Sequence, residues 1–309
     1  MTCPSDNPPE IVAKGPRAPD DAPLEAALYL VSTPIGNAGD ISTRARDVLA
    51  RADLVACEDT RVTGKLFTLL GLRRDDGAQR LLPYHDHNAE RQRPRIMECI
   101  EKGGSVALVS DAGTPLVSDP GYKLVADCVA EGLTVTAIPG PSAPLMALTL
   151  SGLPTDRFFF QGFLPSKGAA RRTALQEIAA VPATLVFMES APRLLASLTD
   201  MAQVLGPRPA AVARELTKKF EEVRRGPLPD LIDHYTQAGP PKGELCVVVG
   251  APLADAQPTE QDLDALLAEA LTRTSVKNAA AEIAAQTGLP RKTVYARALA
   301  LKDQVSKDA

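Results

Sequence analysis

One pattern constrains this chain more than any other. An apolar run of strand length passes straight into a short loop, and it does so four times in the first half. Ala27-Leu28-Tyr29-Leu30-Val31 runs into Ser32-Thr33-Pro34-Ile35-Gly36-Asn37. Leu54-Val55-Ala56-Cys57 runs into Glu58-Asp59-Thr60-Arg61. Val106-Ala107-Leu108-Val109 leads to Ser110-Asp111-Ala112-Gly113-Thr114-Pro115, and Val135-Thr136-Ala137-Ile138 to Pro139-Gly140-Pro141-Ser142-Ala143. Helical patterns separate these runs, near residues 42–51, 61–70, 88–101 and 120–131. Strands that are apolar throughout and alternate with helices predict a mostly parallel sheet covered on both faces.

A second α/β segment follows the break at Ser151-Gly152-Leu153-Pro154. Its strand-like runs are Phe158–Phe163, Thr184–Met188, Ala210–Ala213 and Leu245–Val249, with helical patterns near 169–180 and 192–205. Residues 251–261 read as a linker. From 262 to 309 the chain is Ala- and Leu-rich, and its Gly-containing turn at Thr287-Gly288-Leu289-Pro290 resembles a helix-turn-helix. The start is different again. Six prolines and a net charge of −3 in residues 1–27 predict a disordered extension over 1–26 with no signal-peptide pattern. The expected organisation is therefore two α/β domains, 27–152 and 153–250, and a small all-α unit at 262–309.

Charge divides along the same lines. The whole chain carries 34 Lys+Arg against 38 Asp+Glu, a net −4, which argues against nonspecific coating of nucleic acid. Yet residues 273–302 hold six basic side chains and one acid. Lys167, Arg171 and Arg172 form a further basic cluster, and residues 208–225 another. Such runs are nucleic-acid surfaces or solvated helix faces. Aromatics are 4% with no Trp, so stacking along a run of single-stranded bases is not expected. Five scattered Cys without a C-x-x-C fit reduced thiols in a cytoplasm, and the alternate spacing of His85-Asp86-His87 in a loop is weak evidence for a metal, so no metal site is expected. No apolar run reaches the ~18–20 residues of a membrane helix.

In open α/β sheets ligands sit outside the carboxyl ends of the strands, where these four loops would meet. None is a G-x-x-x-x-G-K-[ST] phosphate cradle or a G-x-G-x-x-G dinucleotide turn. Together Thr33–Asn37, Glu58–Arg61, the long run Ser110–Gly121 and Pro139–Ala143 resemble the tetrapyrrole-methylase superfamily. Tyr84–Asn88, Gln161–Pro165 and Arg214–Lys218 resemble, more narrowly, its small-subunit rRNA methyltransferases, and the terminal unit resembles their longer members.

The resemblance implies S-adenosyl-L-methionine in a cleft between two α/β domains of tetrapyrrole-methylase type. It implies methyl transfer to the ribose 2′-oxygen of a cytidine in the decoding centre of 16S rRNA, with the small ribosomal subunit as partner, and a homodimer. Carried onto this chain, cofactor contacts fall at Pro34, Val109, Ser110, Asp111, Pro115, Leu116, Val117, Ser142 and Ala143. From the second domain they fall at Phe187, Met188, Ala213 and Leu216. Met188 and Ala191 stand where this subgroup usually has Tyr and His; Met still packs against a cofactor.

A ribose hydroxyl is a weak nucleophile, so a nearby base or cation helps. The candidates are Glu58, Asp59, Arg61, His87, Glu215 and Lys218. Each has a plainer reading as well. Glu58-Asp59-Thr60 can cap a helix, His87 can belong to a surface loop, and Glu215 with Lys218 can be an exposed charge pair. RNA contacts are expected at Lys167, Arg171, Arg172, Arg291, Lys292 and Arg297. A methylase of tetrapyrroles or other small molecules, and a ligand-sensing regulator with a helix-turn-helix output, remain the alternatives.

Overall fold

The structure is a computed structural model that describes residues 23–72, 81–252, 260–287 and 290–305. Most of the expected extension, most of the linker and the Gly288-Leu289 turn lie outside the described residues.

The first sheet is built from β1 (Ala27–Val31), β2 (Leu54–Cys57), β3 (Leu81–Pro83), β4 (Ser105–Val109) and β5 (Val135–Ile138). Their order is β3-β2-β4-β1-β5, and every pairing is parallel. The connections are helical: α1 (Thr43–Arg51), α2 (Thr60–Leu69), α3 (Ala89–Glu101) and α4 (Tyr122–Ala130). Alternation along β1 sends Tyr29 and Val31 to a core with Val48, Leu49 and Phe67 from α1 and α2. Leu28 and Leu30 go to the opposite core, with Ile96, Ile100 and Leu124 from α3 and α4. Burial on both faces explains why the strands read as unbroken apolar runs. Ser42 starts α1 by accepting a hydrogen bond from the Ala45 N–H at 3.1 Å, as a cap does.

The second sheet contains β6 (Phe158–Phe163), β7 (Thr184–Ser190), β8 (Pro209–Arg214), β9 (Glu222–Pro227) and β10 (Glu244–Val249). Its order is β6-β7-β10-β8-β9; β6 pairs parallel with β7, and the other pairings are antiparallel. The strand β9 escaped the apolar pattern because its Glu222, Arg224 and Arg225 mark a charged edge. One face packs against α6 (Gly168–Ile178), α7 (Leu194–Leu205) and α8 (Leu228–Ala238), burying Phe187, Leu194, Leu198 and Met201.

The other face is covered by a helix that follows the first sheet. This is α5 (Ala143–Ser151), which starts with Pro144 in its first turn and ends at Gly152 in the left-handed conformation (φ 76°). Its Ala147 and Leu148 pack on Val186, Ala211, Ala213, Cys246 and Val248. Ile35, from the loop after β1, joins the same cluster. The two sheets are thus tied through one apolar seam, and the loops at the carboxyl ends of β1, β2, β4 and β5 face the second sheet there.

The terminal unit has three helices, α9 (Glu260–Arg273), α10 (Val276–Thr287) and α11 (Arg291–Val305). Leu263, Leu267, Ala280, Ile283, Val294 and Ala298 form its own small core.

Candidate active site

The four loops are knitted together by side chains that serve one another's backbones. Thr33 exchanges two backbone hydrogen bonds with Gly113, at 2.9 and 3.1 Å, and donates its hydroxyl to the Ser110 carbonyl at 3.2 Å. The Thr114 hydroxyl meets the Ser32 hydroxyl at 3.1 Å and donates to the Pro141 carbonyl at 3.0 Å. The Asp59 N–H donates to the Asp111 carboxylate at 3.1 Å. Gly140 is required by this closeness: a Cβ there would come within 2.8 Å of the Ser32 Cβ.

Between this loop set and the second sheet lies a cavity of about 330 Å³. The first-domain wall comprises Ile35, Glu58, Asp111, Ala112, Gly113, Thr114, Val117, Ser118 and Asp119. The start of α5 contributes Ser142, Ala143 and Pro144. Phe163, Met188, Glu189, Ala213, Leu216, Glu244, Leu245 and Cys246 close it from the second domain. One side is apolar and sulfur-rich, with the Met188 Sδ 4.0 Å from the Cys246 thiol. Burial holds that thiol near a pKa of about 12, so it is a neutral wall atom.

The first-domain wall carries three carboxylates, Glu58, Asp111 and Asp119, and Glu189 and Glu244 add two from the second domain. Burial raises the Glu58, Asp111 and Asp119 carboxyls above their ordinary range, and repulsion from neighbouring carboxylates adds to it. A cation entering here would relieve that repulsion. Ser142 caps α5 without spending its side chain on the helix, leaving a hydroxyl at the cavity wall beside a helix N-terminus.

Both walls carry strained backbone. Leu116 (φ 71°) and Ser118 (φ 67°) adopt left-handed conformations on one side, Glu215 (φ 50°) and Thr217 (φ 65°) on the other. Each costs about 1–3 kcal/mol, a strain that clusters at functional sites. In the second loop Lys218 donates to the Glu215 and Glu244 carboxylates, both at 3.0 Å. Its aliphatic stem crosses Gly36 so closely that a Cβ on Gly36 would collide with the Lys218 Cγ. Burial alone would lower the lysine's pKa, but these two hydrogen bonds outweigh it and the value is raised. The result is a clasp between the loop after β1 and the loop after β8.

Of the expected cofactor contacts, Asp111, Val117, Ser142, Ala143, Met188, Ala213 and Leu216 line the cavity. Pro34, Ser110, Pro115 and Leu116 sit in the loops after β1 and β4, outside its lining. Two expectations need correction. Phe187 is fully buried in the core on the far face of the second sheet, because its neighbour Met188 takes the cleft-facing position of the strand. Val109 likewise belongs to the core under α1 and α2.

Of the candidates for the reacting centre, Glu58 lines the cavity. Asp59 caps α2, accepting from the Arg61 N–H at 2.8 Å, and grips the Arg61 guanidinium at 2.6 Å. That guanidinium is exposed, and it holds the Asp59 carboxyl at a pKa of about 2. Glu215 and Lys218 form the clasp. His87 is exposed in the loop between β3 and α3, outside the lining of the cavity.

Among the expected RNA contacts, Lys167, Arg291 and Lys292 are exposed. Arg171 is a correction: it is buried and bonded to Asp200 at 2.7 Å, with Arg172 reaching the same carboxylate at 3.1 Å. Arg297 is bonded to Asp264 at 2.6 Å, joining α11 to α9. Sequence reasoning missed Ser118, Asp119, Glu189, Glu244 and Cys246 as cavity residues. Asp119 stood inside the long loop motif after β4; Glu244 and Cys246 carried no local signal, since only the sheet pairing brings β10 to the loops.

The comparisons agree with this architecture. Residues 27–232 match the model of the Tetrapyrrole (Corrin/Porphyrin) Methylases, and residues 257–302 that of the RsmI C-terminal HTH domain. A Mesorhizobium japonicum protein named ribosomal RNA small subunit methyltransferase I is 53% identical over 283 residues, covering 91% of this chain and 94% of its own. A protein of the same name from Erythrobacter litoralis is 51% identical, covering 91% and 97%. Among solved structures, a diphthine synthase shares the fold at a TM-score of 0.55 and 18% identity, over 72% of this chain and 90% of its own. With its loops meeting at one cleft between two sheets, and with matches that span most of its length, this chain belongs to the tetrapyrrole methylase family.

Proposed function

We propose that this methyltransferase uses S-adenosyl-L-methionine to methylate the ribose 2′-oxygen of a cytidine in the decoding centre of 16S rRNA. The observation that carries the reading is the cavity itself, whose lining divides into an apolar bed, a set of carboxylates and a helix N-terminus. This division fits the donor's three parts. Ile35, Met188, Ala213 and Leu216 offer an apolar bed for a flat ring. Ser142 and the first amides of α5 suit a carboxylate, and Asp111 with its neighbours suits a cationic centre.

When bound, the cofactor supplies a methyl group already activated by a positive sulfur. The protein's part is alignment, exclusion of water and proton removal. Glu58 is the group we assign to take the hydroxyl proton, since its raised proton affinity brings it nearer the working pH of a base. Asp119, on the same wall, would accept a hydrogen bond from the ribose and orient it. Lys218 and Glu215 would hold the two domains in register around the cleft.

Lys167, Arg291 and Lys292 would contact phosphates, giving register and salt-dependent affinity while RNA shape selects the target. Exposed Phe158 and Phe159 on edge strand β6 suit the homodimer expected from the family. No helix among the described residues is long and apolar enough to cross a membrane, and a cytoplasmic small subunit is the proposed partner. Labelled-methyl transfer to purified small subunits, naked rRNA and tetrapyrrole precursors, with mapping of the modified nucleotide, tests the whole reading. Label in the tetrapyrrole alone would overturn it.

A further inference from the structure

A second cavity of about 370 Å³ lies beside the first, under α3 and α4, and Asp119 lines both. We propose that it receives the target nucleobase, selects an amino-bearing pyrimidine, and uses Tyr122 as the stacking surface. This inference rests on the rRNA reading above and adds the base recognition that the methyl-donor cleft does not explain.

Two aromatic residues define the space. Tyr122 opens α4 at the cavity and is 76% exposed, an unusual position for a large apolar surface. Tyr84 lines the interior and is 1% exposed. A buried tyrosine hydroxyl ordinarily has a hydrogen-bond partner. This hydroxyl makes no hydrogen bond to the described residues and reaches the cavity rather than being sealed off; burial of the ring raises its pKa, so it stays protonated and able to donate. An unpaired donor inside a cavity beside an exposed ring is what a flat polar ligand would complete.

The polar rim specifies which ligand. Asp86, Glu90 and Asp119 present carboxylates, while Arg93, held by Asp127 at 3.3 Å, and Lys123 present cations. Carboxylates accept from the exocyclic amine of cytosine. The Tyr84 hydroxyl and Arg93 can donate to its ring nitrogen and carbonyl. Uracil would turn a carbonyl oxygen towards the carboxylates and lose that match. The position is right as well. In a nucleotide the 2′-oxygen is carried on the carbon next to the glycosidic one. A base in the second cavity therefore delivers its ribose to the shared wall at Asp119, across from Glu58. The target base would leave its stack to get there, as in other enzymes that act on single nucleotides.

The test uses small subunits reconstituted with cytidine or uridine at the methylated position, assayed by steady-state methyl transfer, with cofactor affinity measured by calorimetry. Wild-type protein is expected to favour cytidine at least tenfold in kcat/KM. Tyr122→Ala is expected to raise KM for the subunit about tenfold with cofactor affinity unchanged, and Tyr122→Phe to restore it. Asp86→Asn with Glu90→Gln is expected to shrink the cytidine preference. A Tyr122→Ala variant with wild-type KM, or an unchanged preference in the double variant, overturns the base site while leaving the rRNA reading standing. Wild-type protein that methylates neither subunit overturns both together.

Discussion

The Asp111 carboxylate accepts a hydrogen bond from the Asp59 backbone N–H at 3.1 Å, joining two loops whose residues lie 52 positions apart. One carboxylate thus shapes the cleft and lends it charge. Asp111→Ala is expected to weaken S-adenosylmethionine binding by about 1.5–3 kcal/mol, the scale of a lost charged hydrogen bond. Titration calorimetry checks it, and unchanged affinity would remove Asp111 from the site. Glu58→Ala is expected to do the reverse, leaving affinity near normal and slowing turnover by about 10²-fold or more.

The clasp predicts coupling across the domain boundary. Lys218 lies over Gly36, so Gly36→Ala must displace the lysine from Glu215 and Glu244. Gly36→Ala and Lys218→Met are each expected to lower kcat/KM. Their double variant should be little worse than either one, because both break the same contact. Fully additive losses in a double-mutant cycle would show that the clasp is not a unit.

The basic residues expected to meet RNA separate by burial. Arg171→Ala leaves Asp200 buried without its nearest partner and is expected to cost about 3–5 kcal/mol in urea unfolding. Arg291→Ala and Lys292→Ala are expected to leave stability within about 0.5 kcal/mol. Each should instead reduce the salt slope of rRNA binding by about one. Equal stability losses at all three positions would contradict the assignment.

Acidity gives a signed test. Glu58, Asp111 and Asp119 have folded pKa values raised above their unfolded ones. Between those values the folded state binds more protons, so these groups favour folding on the acid side and lose that contribution as pH rises. Asp119→Asn is therefore expected to stabilise the apoprotein at neutral pH. A cationic cofactor favours the ionised carboxylates, so its affinity should fall as pH drops through the upper carboxylate range. Binding should release protons there. S-adenosylhomocysteine, whose sulfur is uncharged, should show a shallower decline; parallel slopes would refute an electrostatic role for this wall.

Four strands of the first sheet were legible because continuous apolar runs that alternate with loops and helices fit little besides a covered parallel sheet; the fifth, the three-residue edge strand β3, was too short and too exposed to give such a run. The second sheet was read less fully. The strand β10 is just as apolar and yet runs antiparallel to both neighbours, a distinction that composition does not carry. The charged edge β9 gave no apolar signal at all. Similarly, Arg171 and Arg172 are adjacent and equally basic in sequence, but the helical turn sends the first inward to Asp200 and leaves the second half-exposed.

The sequence by itself determined the alternation of strands and helices, the loops that bear chemistry and the basic character of the terminal unit. These follow from local periodicity and composition. Only the tertiary structure decided that α5 crosses to the second sheet, that Glu244 and Cys246 reach the cleft, and that Tyr84, Asp119 and Tyr122 surround a second cavity. Those facts depend on pairing and packing between distant segments. A side chain's environment is set by the face of the strand or helix on which it lies and by what the fold lays against that face.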